Sequence, residues 1–392
     1  MKILASSLLL LLSINTFAGQ ATNVTTSELK QISLKAKSKA TLGASKRLLA
    51  QDFSHQYRKI SAVLRSEITK YNLKINVDQL LNSKAMNSIQ LQKSDLAIKS
   101  AKGLDSVSES LIELRLADKS MLKAWQAGEA PLFAFSPDGN DSQWDYIEAF
   151  DTNGNIELLD VYNMPERPVF VVGIDSKRAL AEGLKVMRSM FSQSNGANEA
   201  TLRTALTDVT SNVLTAAAGS ISTTVIKTIH LNDDEEPWIS GDAEIYGIVT
   251  GINPSRDEPT LDIVEMPYLN DDGTTYSPNQ VVIHWERYRW AAADMILMEH
   301  DDGTNYKTLA SALLEAATAI MRLIPDPAVQ GFAVIPQITN GIISAMPDDW
   351  FTNDDDYIDV YYTLLEGRTY NNHSGAGGNA TTTFEPLVIA PR

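Results

Sequence analysis

The chain has 392 residues and 44% of them are apolar, so it is long enough to bury the cores of two or three domains. It contains no cysteine, which excludes disulfides, thiolate metal ligands and a cysteine nucleophile. The net charge is −16 and is unevenly placed: residues 19–128 carry 18 basic against 9 acidic side chains, and residues 129–392 carry 14 against 40. This acidic body argues against nucleic acid as a partner, because phosphate binding needs a basic face.

The first 18 residues have the pattern of a secretory signal peptide. Lys2 precedes an apolar run that ends at Leu12, and small residues lead to a favoured cleavage site after Ala18. The apolar run is shorter than the ~20 residues that cross a bilayer. We therefore expect export to the periplasm or the cell exterior, with no transmembrane segment left after cleavage.

Residues 19–45 are rich in serine, threonine, lysine and alanine, and we interpret them as a flexible leader. From Leu49 to Tyr71, apolar residues recur at spacings of three and four, which predicts one long amphipathic helix. A second helix is predicted from about Leu104 to Trp125. Residues 46–128 are therefore assigned to a helical domain.

Short strand-like runs follow this domain, from residue 132 to residue 174. Two of them are joined by residues 151–155, whose Asn-Gly pair is a strong hairpin signal because both residues tolerate positive φ. Asp175 is suited to cap the helix that comes next. Residues 129–192 are interpreted as a small α+β module and residues 193–222 as a linker. The linker is polar at its start, and its second half, from Ala205, is rich in small residues and has a soft helix as its alternative.

Strand-like runs with turn signals between them return at Thr223, and residues 223–370 are assigned to an antiparallel β-sandwich. Its central run, at 242–250, alternates apolar and polar residues and predicts a half-buried strand. Residues 307–346 interrupt the strands with two apolar helical segments. We interpret them as a helical hairpin packed on the sandwich, and insertion into a membrane or a partner is the alternative.

The final segment, 371–392, is rich in glycine, asparagine and threonine and is interpreted as a flexible tail. The predicted fold class is α+β and multidomain. It comprises an N-terminal helical domain, a small α+β module, and a C-terminal antiparallel β-sandwich with an inserted helical hairpin.

The sequence carries no common catalytic signature: it lacks a G-x-S-x-G elbow, an H-E-x-x-H zinc helix and a glycine-rich phosphate loop. Its five histidines never stand at i and i+4. A lone histidine such as His300 is more often a satisfied or surface residue than a metal ligand. We assign no catalytic residue and no organic cofactor.

Acidic residues cluster instead in loops beside predicted strands. Loop carboxylates supply the six to eight oxygens that Ca²⁺ prefers, without cysteine or histidine, so these loops would form a calcium site if they met at one rim of the sandwich. The predicted metal ligands are Asp233, Asp234, Glu236, Asp301, Asp302, Asp354, Asp355 and Asp356. The alternative is that they are solvated turn residues, because Asp-Asp-Gly is also an ordinary hairpin turn.

Four stretches of the chain, DDEEPWISGDAEIYGIVTG, PVFVVGI, HDDGTNY and DDDYIDVYY, resemble an uncharacterised family of exported bacterial proteins, described only as a domain of unknown function. The resemblance covers about residues 46–370. It implies export and a shared architecture, and it carries over no catalytic residue.

Two functions remain open. The first is an exported, non-catalytic binding or interaction protein, whose acidic β-sandwich is stabilised by calcium if the loops converge. Its ligand would be a protein or a carbohydrate, since both are gripped by aromatic rings and four tryptophans lie in the C-terminal half: Trp238, Trp285, Trp290 and Trp350. The strand pattern predicts that Trp285 is a core residue instead. The second function is a secreted hydrolase that uses carboxylates on the same acidic rim.

Overall fold

The computed structural model describes residues 42–82, 88–139, 143–194, 219–233, 237–241, 243–254, 257–300, 302–325, 327–346 and 357–390. Within these ranges the chain forms a mixed α+β fold with three β-sheets, which confirms the predicted fold class at that level. The expected signal peptide at 1–18 lies outside the described residues.

The first sheet has six strands in the order β1-β2-β6-β3-β4-β5, and all neighbours are antiparallel except the parallel pair β3 and β6. Its strands are β1 Lys74–Asn76, β2 Ile112–Leu116, β3 Leu132–Ala134, β4 Ile147–Phe150, β5 Ile156–Leu159 and β6 Val169–Ile174. The boundary that we expected after residue 128 therefore runs through a sheet, because β1 and β2 precede it and the other four strands follow it.

Five helices precede, connect or follow these strands in the chain: α1 Leu42–Glu67, α2 Val77–Asn82, α3 Ser88–Ala101, α4 Leu122–Gln126 and α5 Ser176–Ser194. The predicted long helix is confirmed as α1, which buries Leu49, Phe53 and other residues at helical spacing. The helix predicted from Leu104 to Trp125 is wrong, because this stretch contains β2 and only the short α4. A run of buried apolar residues inside a sheet cannot be told from a buried helix by periodicity alone.

The second and third sheets are antiparallel. The second contains β7 Ile221–Leu231, β10 Thr275–Tyr276, β11 Gln280–His284, β14 Tyr370–Ser374 and β15 Ala380–Ile389, with β10 and β11 both pairing one edge of β7 and β15 pairing the other. The third has the order β13-β12-β8-β9, with β8 Ile245–Ile252, β9 Pro259–Glu265, β12 Ala292–Glu299 and β13 Tyr357–Leu365.

The third sheet is covered on both faces. One face shares an apolar cluster with the second sheet, in which Val249 and Met295 meet Ile229 and Phe384. The other face packs against α6 Tyr306–Leu323 and α8 Ile335–Ala345, which are joined through the short α7 Pro327–Gln330. No helix of the described ranges is long and apolar enough to cross a membrane. The strand expected at 242–250 is confirmed as β8, but its expected half-burial is wrong, since β8 is buried along its whole length.

The flexible tail expected at 371–392 is also wrong, because its described residues form most of β14 and all of β15, and β15 pairs with β7 from Ala380 to Ile389. Its glycines belong to a tight loop that wraps the buried carboxylate of Asp359. That carboxylate accepts hydrogen bonds from the backbone N–H groups of Val360, Gly377, Asn379 and Ala380 at 2.6–2.9 Å. Glycine is needed here because a Cβ at Gly375 would overlap the carboxylate.

We expect Gly375→Ala to destabilise the protein by about 2 kcal/mol, since either Asp359 or the loop must move to admit the new methyl group. The control is Gly219→Ala, where a Cβ meets nothing within 4 Å and a change of no more than about 0.5 kcal/mol is expected. Chemical denaturation measures both. Equal stability of the two variants would contradict the role given to this loop.

Candidate binding cleft

A cleft of about 690 Å³ lies where α5, β9 and β11 meet. Consecutive residues 261–265 of β9 and 280–282 of β11 line it. Because successive side chains of a strand point to opposite faces, an unbroken run along a cavity means that each strand presents its backbone edge to it. Within the described ranges, β9 has β8 as its only strand partner, so its other edge is open toward the cleft.

Side chains bridge the strands at one end of the cleft. The Gln280 amide donates to the carbonyl of Glu265 at 2.8 Å, and the Tyr268 hydroxyl donates to the Gln280 amide oxygen at 2.6 Å. These bonds hold β11 against β9 at Glu265, whereas the part of the β9 edge that precedes Glu265 lines the cleft. Because contacts within the fold hold the two strands apart in this way, the cleft is preformed.

A second bridge centres on Asp262 of β9. Its carboxylate accepts a hydrogen bond from the Tyr288 hydroxyl and pairs with Arg287, both at 2.5 Å. Burial raises the pKa of the Tyr288 phenol well above its ordinary value, and the neighbouring Asp262 carboxylate adds to the shift. Tyr288 therefore stays a neutral donor, and it holds Asp262 in place.

Helix α5 forms the third wall through Arg188, Phe191 and Ser192. The Arg188 guanidinium lies 3.8 Å from the Glu265 carboxylate, and both side chains are about two-fifths exposed. Phe191 is buried, so it offers an apolar surface beneath this charged pair. The cleft thus combines apolar walls with one arginine–carboxylate pair from α5 and another at Asp262.

Most of the predicted calcium ligands, namely Asp234, Glu236, Asp301, Asp354, Asp355 and Asp356, lie outside the described residues. Asp233 and Asp302 are described, and they have different neighbours. The backbone of Asp233 exchanges hydrogen bonds with the Asn379 side chain at 3.1 and 3.2 Å. The Asp302 carboxylate pairs with Lys46 of α1 at 3.3 Å.

Lys46 ties Asp302 to the first sheet. Its ammonium is buried and also donates to the Ser136 hydroxyl at 2.6 Å. The carbonyl of Asp302 accepts from Lys102 at 2.9 Å. Two lysines therefore already neutralise this loop, which weakens the case for Asp302 as a cation ligand.

His300 is a satisfied core residue, as the sequence favoured. It is buried, and its Nδ1 lies 2.9 Å from the hydroxyl of Tyr306. Burial, with the nearby Lys102 ammonium, holds the pKa of His300 well below its ordinary value, so the imidazole is neutral. No group of three or more potential metal-binding side chains occurs among the residues that the structure describes.

The strand register nevertheless places three described strand ends beside one another. Glu299 at the end of β12 lies opposite Ile245 at the start of β8. Met298 lies opposite Tyr357 at the start of β13. Leu231 at the end of β7 lies opposite Ala380, whose loop holds Asp359. The chain segments that carry the predicted ligands therefore leave neighbouring strand ends.

The described tryptophans of the C-terminal half do not form an exposed platform. Trp285 is buried and donates to the Thr224 hydroxyl at 3.0 Å, which confirms its predicted place in the core. Trp238 and Trp290 are only partly exposed, and Trp350 lies outside the described residues.

A family model described as "Protein of unknown function (DUF3103)" matches residues 46–392, which is most of the chain. The chain belongs to this family. No curated protein matches the chain, and no solved structure matches it.

The sequence predicted the strands of the cleft but not the cleft. β9 and β11 lie among the strands expected from Thr223 onwards, and Arg188 and Phe191 lie on the helix expected after Asp175. Whether a strand lies at the edge of a sheet depends on its pairing with distant parts of the chain, and no local sequence pattern predicts this position. The sequence feature that could have indicated an edge strand beside a cleft is the mixture of charged and apolar residues in TLDIVE.

Asp294 has a raised pKa but lies away from the cleft. It is fully buried on β12 beneath α8, and its Oδ1 accepts from the backbone of Thr363 at 2.7 Å. Burial raises its pKa from 3.8 to about 6, and hydrogen bonds from Thr363 and Thr339 oppose this shift. Asp294 is surrounded by packed side chains. Its raised pKa therefore affects the free energy of unfolding and is not a sign of catalysis.

We expect Asp294→Asn to stabilise the protein at about pH 7.5, by up to ~3 kcal/mol. The folded state holds this proton up to about pH 6 and the unfolded chain only to 3.8, so stability is lost as pH rises through that window. Asparagine keeps the acceptor without the charge. At about pH 4 the two proteins should unfold alike. The exposed Asp272→Asn is the control, and a pH-independent effect of Asp294→Asn would contradict the assignment.

Proposed function

We propose that this protein is an exported, non-catalytic binding protein that holds its ligand in the cleft between β9 and β11. The observation that carries the proposal is an open strand edge inside a cavity of about 690 Å³. Ligand sites are typically preformed clefts of ~300–1,000 Å³ with apolar walls and a few placed polar groups. The Asp262 and Gln280 bridges supply the preformed shape.

A protein ligand suits the cleft better than a carbohydrate. Sugar recognition relies on exposed aromatic rings, and the aromatic ring of the cleft wall, Phe191, is buried. Backbone edges offer alternating donors and acceptors, which suit a polypeptide. Export rests on the signal-peptide pattern at 1–18, and it would place the ligand in the periplasm or outside the cell. We also propose that the second and third sheets act as a β-sandwich that supports the cleft.

The calcium proposal concerns the acidic loops and not the cleft. Calcium bound there would stabilise the sandwich. What supports this proposal is the register that directs the ends of β7 and β12 and the start of β13 to one end. What opposes it is the Lys46 partner of Asp302, so Asp233 and its neighbours in sequence are the stronger candidates.

A thermal melt of the full chain tests the calcium proposal. A cation that binds only the folded state at ~100 times its Kd should add about 2.7 kcal/mol of stability. We expect calcium added after chelation to raise the melting temperature, with magnesium as the matched control, and Asp233→Asn to reduce the rise. The same melting temperature in chelator and in calcium would contradict the calcium proposal and identify these loops as solvated turns.

The cleft proposal is tested with a tryptophan that fills it. Ser192 is exposed and lines the cleft, whereas its neighbour Gln193 is exposed and does not. We expect a fragment and peptide screen, read by ligand-observed NMR, to give binders that Ser192→Trp loses and Gln193→Trp keeps. Binders insensitive to both variants would contradict the site.

Turnover of glycoside, ester or peptide substrates would contradict the non-catalytic assignment and favour the secreted hydrolase.

A further inference from the structure

The hydrogen-bond register of β8 and β9 determines which backbone groups of β9 face the cleft. Met266 donates to the carbonyl of Ile245, and Asn253 donates to the carbonyl of Glu258. Hydrogen-bonded pairs alternate with non-bonded pairs along an antiparallel ladder. Even-numbered residues of β9 therefore bond to β8, and the odd-numbered Leu261, Ile263 and Glu265 direct their N–H and C=O groups away from it.

These outward groups lie in the cleft wall. The carbonyl of Glu265 is taken by the Gln280 side chain. The N–H and C=O of Leu261 and Ile263 have no hydrogen-bond partner among the residues described. Both residues line the cleft. Leu261 is buried and Ile263 is partly exposed, so the backbone groups of this edge sit in a recess and not on an open surface, and Ile263 is the more accessible of the two.

We infer that the ligand is an extended peptide that adds to β9 as a further strand, with its backbone bonded to Leu261 and Ile263. This inference rests on the proposed function and names its ligand class. The backbone of such a peptide pairs with both the N–H donor and the C=O acceptor of each outward residue. A small organic molecule cannot repeat this pair of hydrogen bonds along the strand. The added strand lies ~4.8 Å from β9, between β9 and the β11 wall.

Side chains of the cleft set the preferred sequence. Alternate side chains of an added strand point to opposite faces. Phe191 of α5 belongs to the apolar cluster on one face of the third sheet and Val282 of β11 to the cluster on the other face, so the two sets of side chains would meet different walls. Both of these residues are buried and apolar, so the centre of the peptide is apolar.

Charge determines the flanks of the peptide. Arg188 is about two-fifths exposed and Arg287 about half exposed, and among the residues described each engages a single carboxylate group. A guanidinium has five N–H donors, so each keeps donors for an incoming carboxylate. The inferred ligand is an extended segment with an apolar centre and an acidic residue on each side.

The test uses a capped peptide of seven residues, the length of β9, with a central leucine, threonines around it and a glutamate toward each end. One control is the same peptide N-methylated at alternate backbone nitrogens, which keeps every side chain and removes strand donors. The other replaces both glutamates by lysine. Binding to the full chain is measured by calorimetry.

We expect the parent peptide to bind, and the N-methylated peptide to bind about tenfold more weakly or worse, since two or three backbone hydrogen bonds are lost. The lysine peptide should also be weaker. In the protein, Ile263→Pro removes an outward N–H that β8 does not use, and it should weaken binding by a similar factor while Asp272→Asn leaves binding unchanged.

Equal affinity for the parent and N-methylated peptides would overturn the inference, and this result does not depend on whether Ile263→Pro folds. If no peptide binds while small fragments bind in a Ser192-dependent way, the peptide inference fails and the binding cleft stands. If the chain self-associates through this edge, with Ser192→Trp restoring a monomer, the occupant is a second copy and the inference fails. If nothing binds at the cleft, both fail.

Discussion

Burial of β8 and β12 on both faces is the constraint on which the rest of the structure depends. All eight residues of each strand are buried, so the third sheet must be covered by the second sheet on one side and by α6 and α8 on the other. Close packing follows from this. A Cβ at Gly247 would meet the Met295 side chain at 2.6 Å, and one at Gly251 would overlap Tyr288.

The position of the cleft is a consequence of that arrangement. With β8 and β12 at the centre, β9 is left at the end of the sheet, where its second row of backbone groups needs a partner or water. Proteins usually protect such an edge with charge or with a covering element. Here Arg188, Arg287 and the Gln280 bridge border the edge and leave a recess between them. A protected but accessible edge is what strand addition requires.

Local patterns in the sequence were sufficient for elements whose signals are short-range. The Asn-Gly hairpin is present, with Asp151 accepting from the backbone of Asn153 and Asn155, and Asp175 accepts from the first turn of α5. Elements defined by distant partners were missed. β15 was taken for a tail because its glycine-rich approach resembles a linker, and only the buried Asp359 explains why those glycines are needed.

The same distinction applies to the candidate sites. The acidic loops were visible because they are clusters in sequence, but Asp302 pairs with Lys46, which lies 256 residues earlier in the chain. The outward N–H of Ile263 was invisible because it depends on register. Charge patterns therefore locate acidic loops, and pairing determines whether a strand edge is available.

Residue-resolved amide hydrogen exchange of β9, in the full chain without ligand, tests the central claim most directly. If β9 is an open edge, the amides of Asp262 and Val264, which bond to β8, exchange slowly, and the amide of Ile263 between them exchanges much faster. Equal protection of all three amides would show that another segment already covers this edge, and it would contradict the account of the cleft as a binding site.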